Sequence, residues 1–170
     1  MVIRWVGAAM ILAAGGGIGF AAAYHHRKEE AALEELIRTI DFLCAELSCN
    51  LTPLPELCLQ AAIHSSGVVS HVFEALGNEL NQQIAPEAEI CMETVLTSCE
   101  SVPVSVRNNL GYLGRNLGRF DLEGQLNGLE GAKQMCLRDL AGLQNNRDNR
   151  LRSYQVLGFC AGAALVILLI

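Results

Sequence analysis

Charge is missing from both ends of this 170-residue chain. No Asp, Glu, Lys or Arg occurs from Trp5 to Tyr24, and none from Tyr154 to Ile170. As helices, the first segment reaches about 30 Å, one hydrocarbon thickness, and the second about 25 Å, short but workable. Other lacks narrow the chemistry. The chain has no P-loop, no GxSxG, no HExxH and no EF-hand loop, which removes the commonest nucleotide, hydrolase, zinc-protease and calcium signatures. Among 7 cysteines there is no CxxC pair, and His64 and His71 lie far in sequence from any two cysteines, so the spacing supports no zinc site. Strict strand-type alternation is almost absent. The residues point to no enzyme, no cofactor and no metal.

The charge that is present is concentrated in the middle. All 18 acidic residues lie between His25 and Ser153, with every Lys and Arg except Arg4. This layout reads as a membrane hairpin: residues 1–24 a first transmembrane helix, 25–153 a folded domain, and 154–170 a second transmembrane helix, with the lipid bilayer as one partner. Both inner flanks are basic, with His25, His26, Arg27 and Lys28 after the first segment and Arg147, Arg150 and Arg152 before the second. The positive-inside rule then puts the domain in the cytoplasm and both termini across the membrane. A cleaved signal peptide is the rival, with Ala21-Ala22-Ala23 near a plausible cleavage point. Against it stand the length of the apolar run and a single basic residue, Arg4, ahead of it. The domain is acidic and has no basic stripe, which argues against nucleic acid as a partner.

Apolar residues recur with helical period through the domain, predicting an all-α antiparallel bundle of about six helices. From Arg27 to Cys49, the residues Leu33, Leu36, Ile37, Ile40, Leu43, Cys44 and Leu47 mark one face, with Glu34 and Arg38 four apart outside it. No proline or glycine falls between Tyr24 and Cys49, so the first span is expected to run into this helix. A turn at Asn50–Glu56 leads to a second helix from Pro55, with Leu57, Leu59, Ala62 and Ile63 inward. Gly67 breaks the chain before a third helix, Val68 to Gln83, with Val69, Val72, Phe73, Leu76 and Leu80 inward. Ala85-Pro86 opens a fourth, with Ile90, Cys91, Val95 and Leu96 inward, and Pro103 a fifth, with Val106, Leu110, Leu113 and Leu117. No proline follows Asp121, and Leu122, Leu126, Leu129, Cys136, Leu140 and Leu143 recur with Lys133 at the one polar seat. A single helix capped by Asp121 is therefore expected to continue into the second span.

Gly15-Gly16-Gly17-Ile18-Gly19 has no preceding strand and lies inside an apolar segment. Gly15 with Gly19, and Gly158 with Gly162, read as small-xxx-small packing faces, either between the two spans or toward partner spans.

Two short elements resemble the stage III sporulation protein AB family. One is Leu51-Thr52-Pro53-Leu54-Pro55-Glu56 after a membrane-proximal helix. The other is Leu113-Gly114-Arg115-Asn116-Leu117-Gly118-Arg119-Phe120-Asp121, followed by Gln125. Their order and spacing, the length and the apolar ends extend the resemblance over essentially the whole chain. The cysteines and the glycines after Asp121 depart from it. The resemblance implies a helical domain similar to the cytoplasmic domain of the type II secretion platform protein F. It further implies a place in the sporulation channel complex between mother cell and forespore, in the mother-cell membrane around the forespore. The implied partners are a secretion-type hexameric ATPase (sporulation protein AA), other sporulation channel membrane proteins and, as an option, a homo-oligomer.

Rigid turns at helix ends present polar groups at fixed positions. The expected partner surface is therefore Thr52, Pro55 and Glu56 together with Gly114, Gly118, Arg119 and Asp121. The plainer account is that Pro55 and Asp121 start helices and the glycines allow close packing. Two other functions fit the same residues: a membrane-tethered sensor or regulatory adaptor unrelated to secretion, and a redox or metal protein using Cys44, Cys49 and Cys58.

Overall fold

A computed structural model of the chain describes residues 27–50, 52–82, 87–118 and 121–169, with side chains as far as Asn145. Six helices and no strand occur among them. Helix α1 occupies residues 27–50, and α2 (Leu54–His64), α3 (Gly67–Gln82), α4 (Ala88–Ser98), α5 (Val104–Asn116) and α6 (Leu122–Leu169) follow. Consecutive helices from α2 to α6 pack against one another. Four of the five connections carry a breaker, Pro53 with Pro55, Gly67, Pro103, and Gly118, and residues 83–86 of the α3–α4 connection, with the expected Ala85-Pro86 start of the fourth helix, lie outside the described residues. Among the described residues no helix is long and apolar enough to cross a membrane. The first apolar segment lies outside them, so its continuity with α1 does too.

The helical periods place the core. Leu33, Leu36, Ile40 and Leu43 of α1 are fully buried, as are Val69, Val72, Phe73 and Leu76 of α3, and Val106 and Leu110 of α5. A fully buried aliphatic or aromatic side chain contributes about 1.5–3 kcal/mol, so the four α1 residues alone outweigh any single polar contact below.

Two inward expectations are corrected. Ile63 is 79 % exposed and Ile90 54 %. In α2 the buried positions are Leu57, Cys58, Ala61 and Ala62, and in α4 they are Ala88, Cys91, Met92, Val95 and Leu96. At about 100° per residue each isoleucine falls on the face opposite the stripe these define. Ala61 and Ala88 take core seats on those faces. Leu54 was expected to stay out of helix and is instead its first residue, since Pro55 then falls in the first turn, where a missing N–H costs nothing. Leu122 is 39 % exposed at the start of α6, whereas Leu129, Ala132 and Cys136 are buried.

Helix α1 is tied by polar contacts to three other parts of the bundle. Glu35 Oε1 accepts from Ser66 N at 2.8 Å, tying α1 to the α2–α3 turn. Ser105 Oγ of α5 donates to Glu29 Oε1 at 2.5 Å. Lys133 Nζ of α6 lies 2.6 Å from Asp41 Oδ1, which explains the polar seat in an otherwise apolar stripe. The expected Glu34–Arg38 pair is present at 3.7 Å on the outer face. Between α5 and α6, buried Asn109 donates through Nδ2 to Ser105 O at 2.9 Å and to Asp139 Oδ2 at 2.7 Å. Its Oδ1 is buried with no hydrogen-bond partner, a desolvation cost of about 1–3 kcal/mol.

Glycines in α5 separate two roles. A methyl group at Gly114 would stand 2.7 Å from Met92 Cβ and 3.5 Å from Ala88 O, whereas one at Gly111 would meet nothing within 4 Å. Met92 Cβ sits on the α4 backbone and cannot rotate away. Gly111→Ala should therefore stabilise the protein by up to about 1 kcal/mol through helix propensity. Gly114→Ala should destabilise it by roughly 1–3 kcal/mol through overpacking. Denaturant unfolding of the two variants checks this, and equal or inverted shifts would contradict the α4–α5 packing.

Candidate functional site

The end of α1 and the start of α2 form one polar turn. Glu46 Oε1 accepts from Asn50 Nδ2 at 2.7 Å and from Thr52 Oγ1 at 3.2 Å. Pro53 is the N-cap residue, with extended backbone (φ −55°, ψ 140°) and no side-chain cap. Leu57 N donates to Pro53 O at 2.9 Å, closing the first turn of α2. Thr52 is half-buried and Glu56 exposed, its Oε1 accepting from Gln60 Nε2 at 3.4 Å. The sequence therefore spends Thr52 on fixing the turn and leaves the Glu56 carboxylate at the surface.

The second turn joins α5 to α6. Leu117 N donates to Leu113 O at 3.0 Å, ending α5. Gly118 then adopts φ +72°, the left-handed conformation that commonly follows a helix and that side chains with a Cβ disfavour. Asp121 Oδ1 accepts from Gly124 N at 3.1 Å and caps α6. Arg119 lies outside the described residues.

The two turns share one end of the bundle. A Cβ at Gly118 would stand 3.1 Å from Leu54 Cδ2. A cavity of about 240 Å³ opens between Leu54 of α2, Glu87 and Ala88 at the start of α4, and Gly114, Leu117 and Gly118 of α5. Arg115 adds a cation to its wall. Thus the structure brings together Leu54 and the two glycines, puts Glu56 and Asp121 nearby on the same end, and gives Gly114 to helix packing. The sequence reading missed Leu54, Leu117 and the first turn of α4. Leu54 was discounted as the residue before a proline, and nothing in the sequence links Glu87 to a turn 30 residues later.

Cys44 is half-buried, Cys49 exposed and Cys58 buried. No group of three or more His, Cys, Asp or Glu side chains suited to a metal ion occurs among the described residues. Burial, and secondarily Cys91, pushes the Cys58 thiol up to about 12. Burial, and secondarily Asp139, does the same to Cys136, also to about 12. Cys44 is raised by its partial burial and by Asp41 and Glu130, against an opposing contribution from Lys133. None of these is an activated thiolate. His64 has a plain structural neighbour: its ring lies 4.6 Å from that of Phe42. Of the expected membrane packing glycines, Gly15 and Gly19 lie outside the described residues, and Gly158 and Gly162 fall within α6 beyond its described side chains.

Comparison with known proteins adds two findings. The sequence model of the stage III sporulation protein AB family matches residues 4–170. A solved structure of a stage III sporulation protein AB superposes with a TM-score of 0.61 at 21 % identity, covering 72 % of this chain and 98 % of that one. At that identity the superposition speaks for the fold alone. No curated protein sequence matches the chain.

The thiols give a direct test. In the full-length protein at pH 8, a maleimide should modify Cys49 first and reach Cys58 and Cys136 only after denaturation. Each buried thiol is kept neutral by the fold, so its contribution is fully present below the ordinary value near 9 and is lost as pH rises toward about 12. Stability should accordingly fall more steeply over that alkaline window in the wild type than in a Cys58→Ala, Cys136→Ala variant. Alkylation of Cys58 as fast as Cys49 would contradict the burial.

Proposed function

The chain belongs to the stage III sporulation protein AB family, and from that premise we propose that it is a non-enzymatic membrane platform coupling a secretion-type ATPase to a channel assembly. Family membership gives the coarser part, a role in sporulation. The finer part is our reading of residues and geometry. The two uncharged segments, 5–24 and 154–170, span the membrane of the mother cell around the forespore. The helical domain between them faces the cytoplasm, as the basic flanks favour. The partner is a hexameric ATPase of the sporulation protein AA type, with other channel membrane proteins alongside.

The observation that carries this reading is α6, which runs without a break from Leu122 at the outer turn to Leu169 in the second apolar segment. Forty-eight helical residues reach about 70 Å. A partner held at the outer end is thereby linked to the membrane by one rigid element rather than by a flexible tether. The outer end is also where the two turns meet, with Glu56 and Asp121 offering charge and Leu54 and Gly118 a cavity, and Arg119 is the basic residue that the sequence places between Gly118 and Asp121. Gly114 shapes that surface from below by letting α4 and α5 approach.

Charge reversal tests the surface. Glu56→Lys and Arg119→Glu, each in the full-length protein in detergent, should weaken association with the ATPase at least about tenfold, a loss typical of one interfacial charge pair. Helix content and thermal midpoint should stay as in the wild type. Binding unchanged in both variants would put the contact elsewhere.

A further inference from the structure

The opposite end of the bundle is where the described chain begins and where α6 leaves. Lys133 pairs with Asp41, and the charge of Glu130 acts on Cys44. The higher number on one helix thus goes with the lower on the other, so α1 and α6 run antiparallel. Carried down the two helices, that register sets residue 27 level with residue 147. The uncharged segments end three residues before the first of these and begin seven after the second. Both therefore depart from the same end.

That end has an apolar face. The α4–α5 turn is fastened there by the hydrogen bond from Ser105 to Glu29. Val104 beside it is 72 % exposed. A groove of about 400 Å³ opens next to the turn, its apolar part formed by Ala31 and Ala32 of α1, Val68 of α3, and Pro103, and its polar part by Lys28, Glu35, Ser66 and Ser101. A single exposed valine is ordinary. An exposed valine and a groove of apolar and polar lining, at the end of the bundle that both uncharged segments adjoin in sequence, form a different pattern.

We propose that this face rests on the bilayer, with Val104 in the interface and the groove occupied by membrane lipid. The proposal rests on the membrane-spanning reading above and extends it to the domain's orientation. Ile63, although 79 % exposed, is excluded from the contact. It adjoins His64, whose ring is against Phe42, and fifteen residues of α1 raise that level about 22 Å above residue 27.

Tryptophan quenching by brominated phosphatidylcholine tests this on the full chain in nanodiscs. In the wild type, the single tryptophan, Trp5, reports the first segment and should be quenched. In a Trp5→Phe background, Val104→Trp should lose roughly half its emission, as expected of a side chain 5–10 Å into the interface. Ile63→Trp should emit as it does in unbrominated lipid. If Trp5 is quenched while Val104→Trp behaves like Ile63→Trp, the docked face is overturned and the spans survive. If Trp5 itself is not quenched, the spanning reading fails and the docked face falls with it.

Discussion

The antiparallel pairing of α1 with α6 is the constraint on which the rest of the architecture depends. It brings the start of α1 at residue 27 and the departing part of α6 to one side, and everything from α2 to α5 must fold back against that pair. The ion pair of Lys133 with Asp41 marks the register but does not create it. Asp41 is 54 % exposed, and partly exposed pairs of this kind contribute at most about 1 kcal/mol. The register is set by the apolar seams, with Leu33, Leu36, Ile40 and Leu43 from α1 and Leu129, Ala132 and Cys136 from α6 all in one core. A shift of one residue on either helix would rotate these off the core by about 100°. Sliding the pair by a whole turn would instead strand Lys133 against an apolar neighbour.

Given that pairing, the two ends of the bundle acquire different chemistry. The outer end has two turns fastened by the hydrogen bond from Thr52 to the Glu46 carboxylate, by Asp121 accepting from Gly124 N, and by Leu113 O accepting from Leu117 N. Their remaining charges face solvent. The inner end has an exposed valine, a groove lined by both apolar and polar residues, and basic flanks in the sequence. In the proposed platform role, this division would assign one surface to a soluble partner and the other to the membrane. Helix α6 runs between the two ends, and the Asn109–Asp139 and Lys133–Asp41 contacts hold its N-terminal half against α5 and α1.

Most of this fold was legible as period and punctuation. The stripes of α1, α3 and α5 were read correctly because their buried residues are large and aliphatic at unbroken helical spacing. Asp121 as a cap and Gly118 as a helix terminator follow from local backbone chemistry, which the sequence states directly. The continuity of the last helix followed from the absence of proline after Asp121. Ile63 and Ile90 were misread because hydrophobicity was taken as burial. In α2 and α4 small residues such as Ala61 and Ala88 lie on the buried face, and each isoleucine falls on the opposite face and is left in solvent. The candidate site was half legible. Its two turns announced themselves through proline, glycine and aspartate, whereas the wall supplied by Glu87 and Ala88 arises from α4 folding back, a long-range event with no local signal. The pairing of Asn109 with Asp139 is equally long-range.

The central claim is that the bundle and the second apolar segment form one continuous helix. Its most direct test is a pulsed electron–electron distance between spin-labelled unnatural amino acids at Gln134 and Gln155 in the full chain in nanodiscs. An unbroken helix over those twenty-one residues gives a narrow distribution centred near about 32 Å. A broad distribution, or a centre well below that value, would mean a hinge between domain and membrane and would contradict the rigid link.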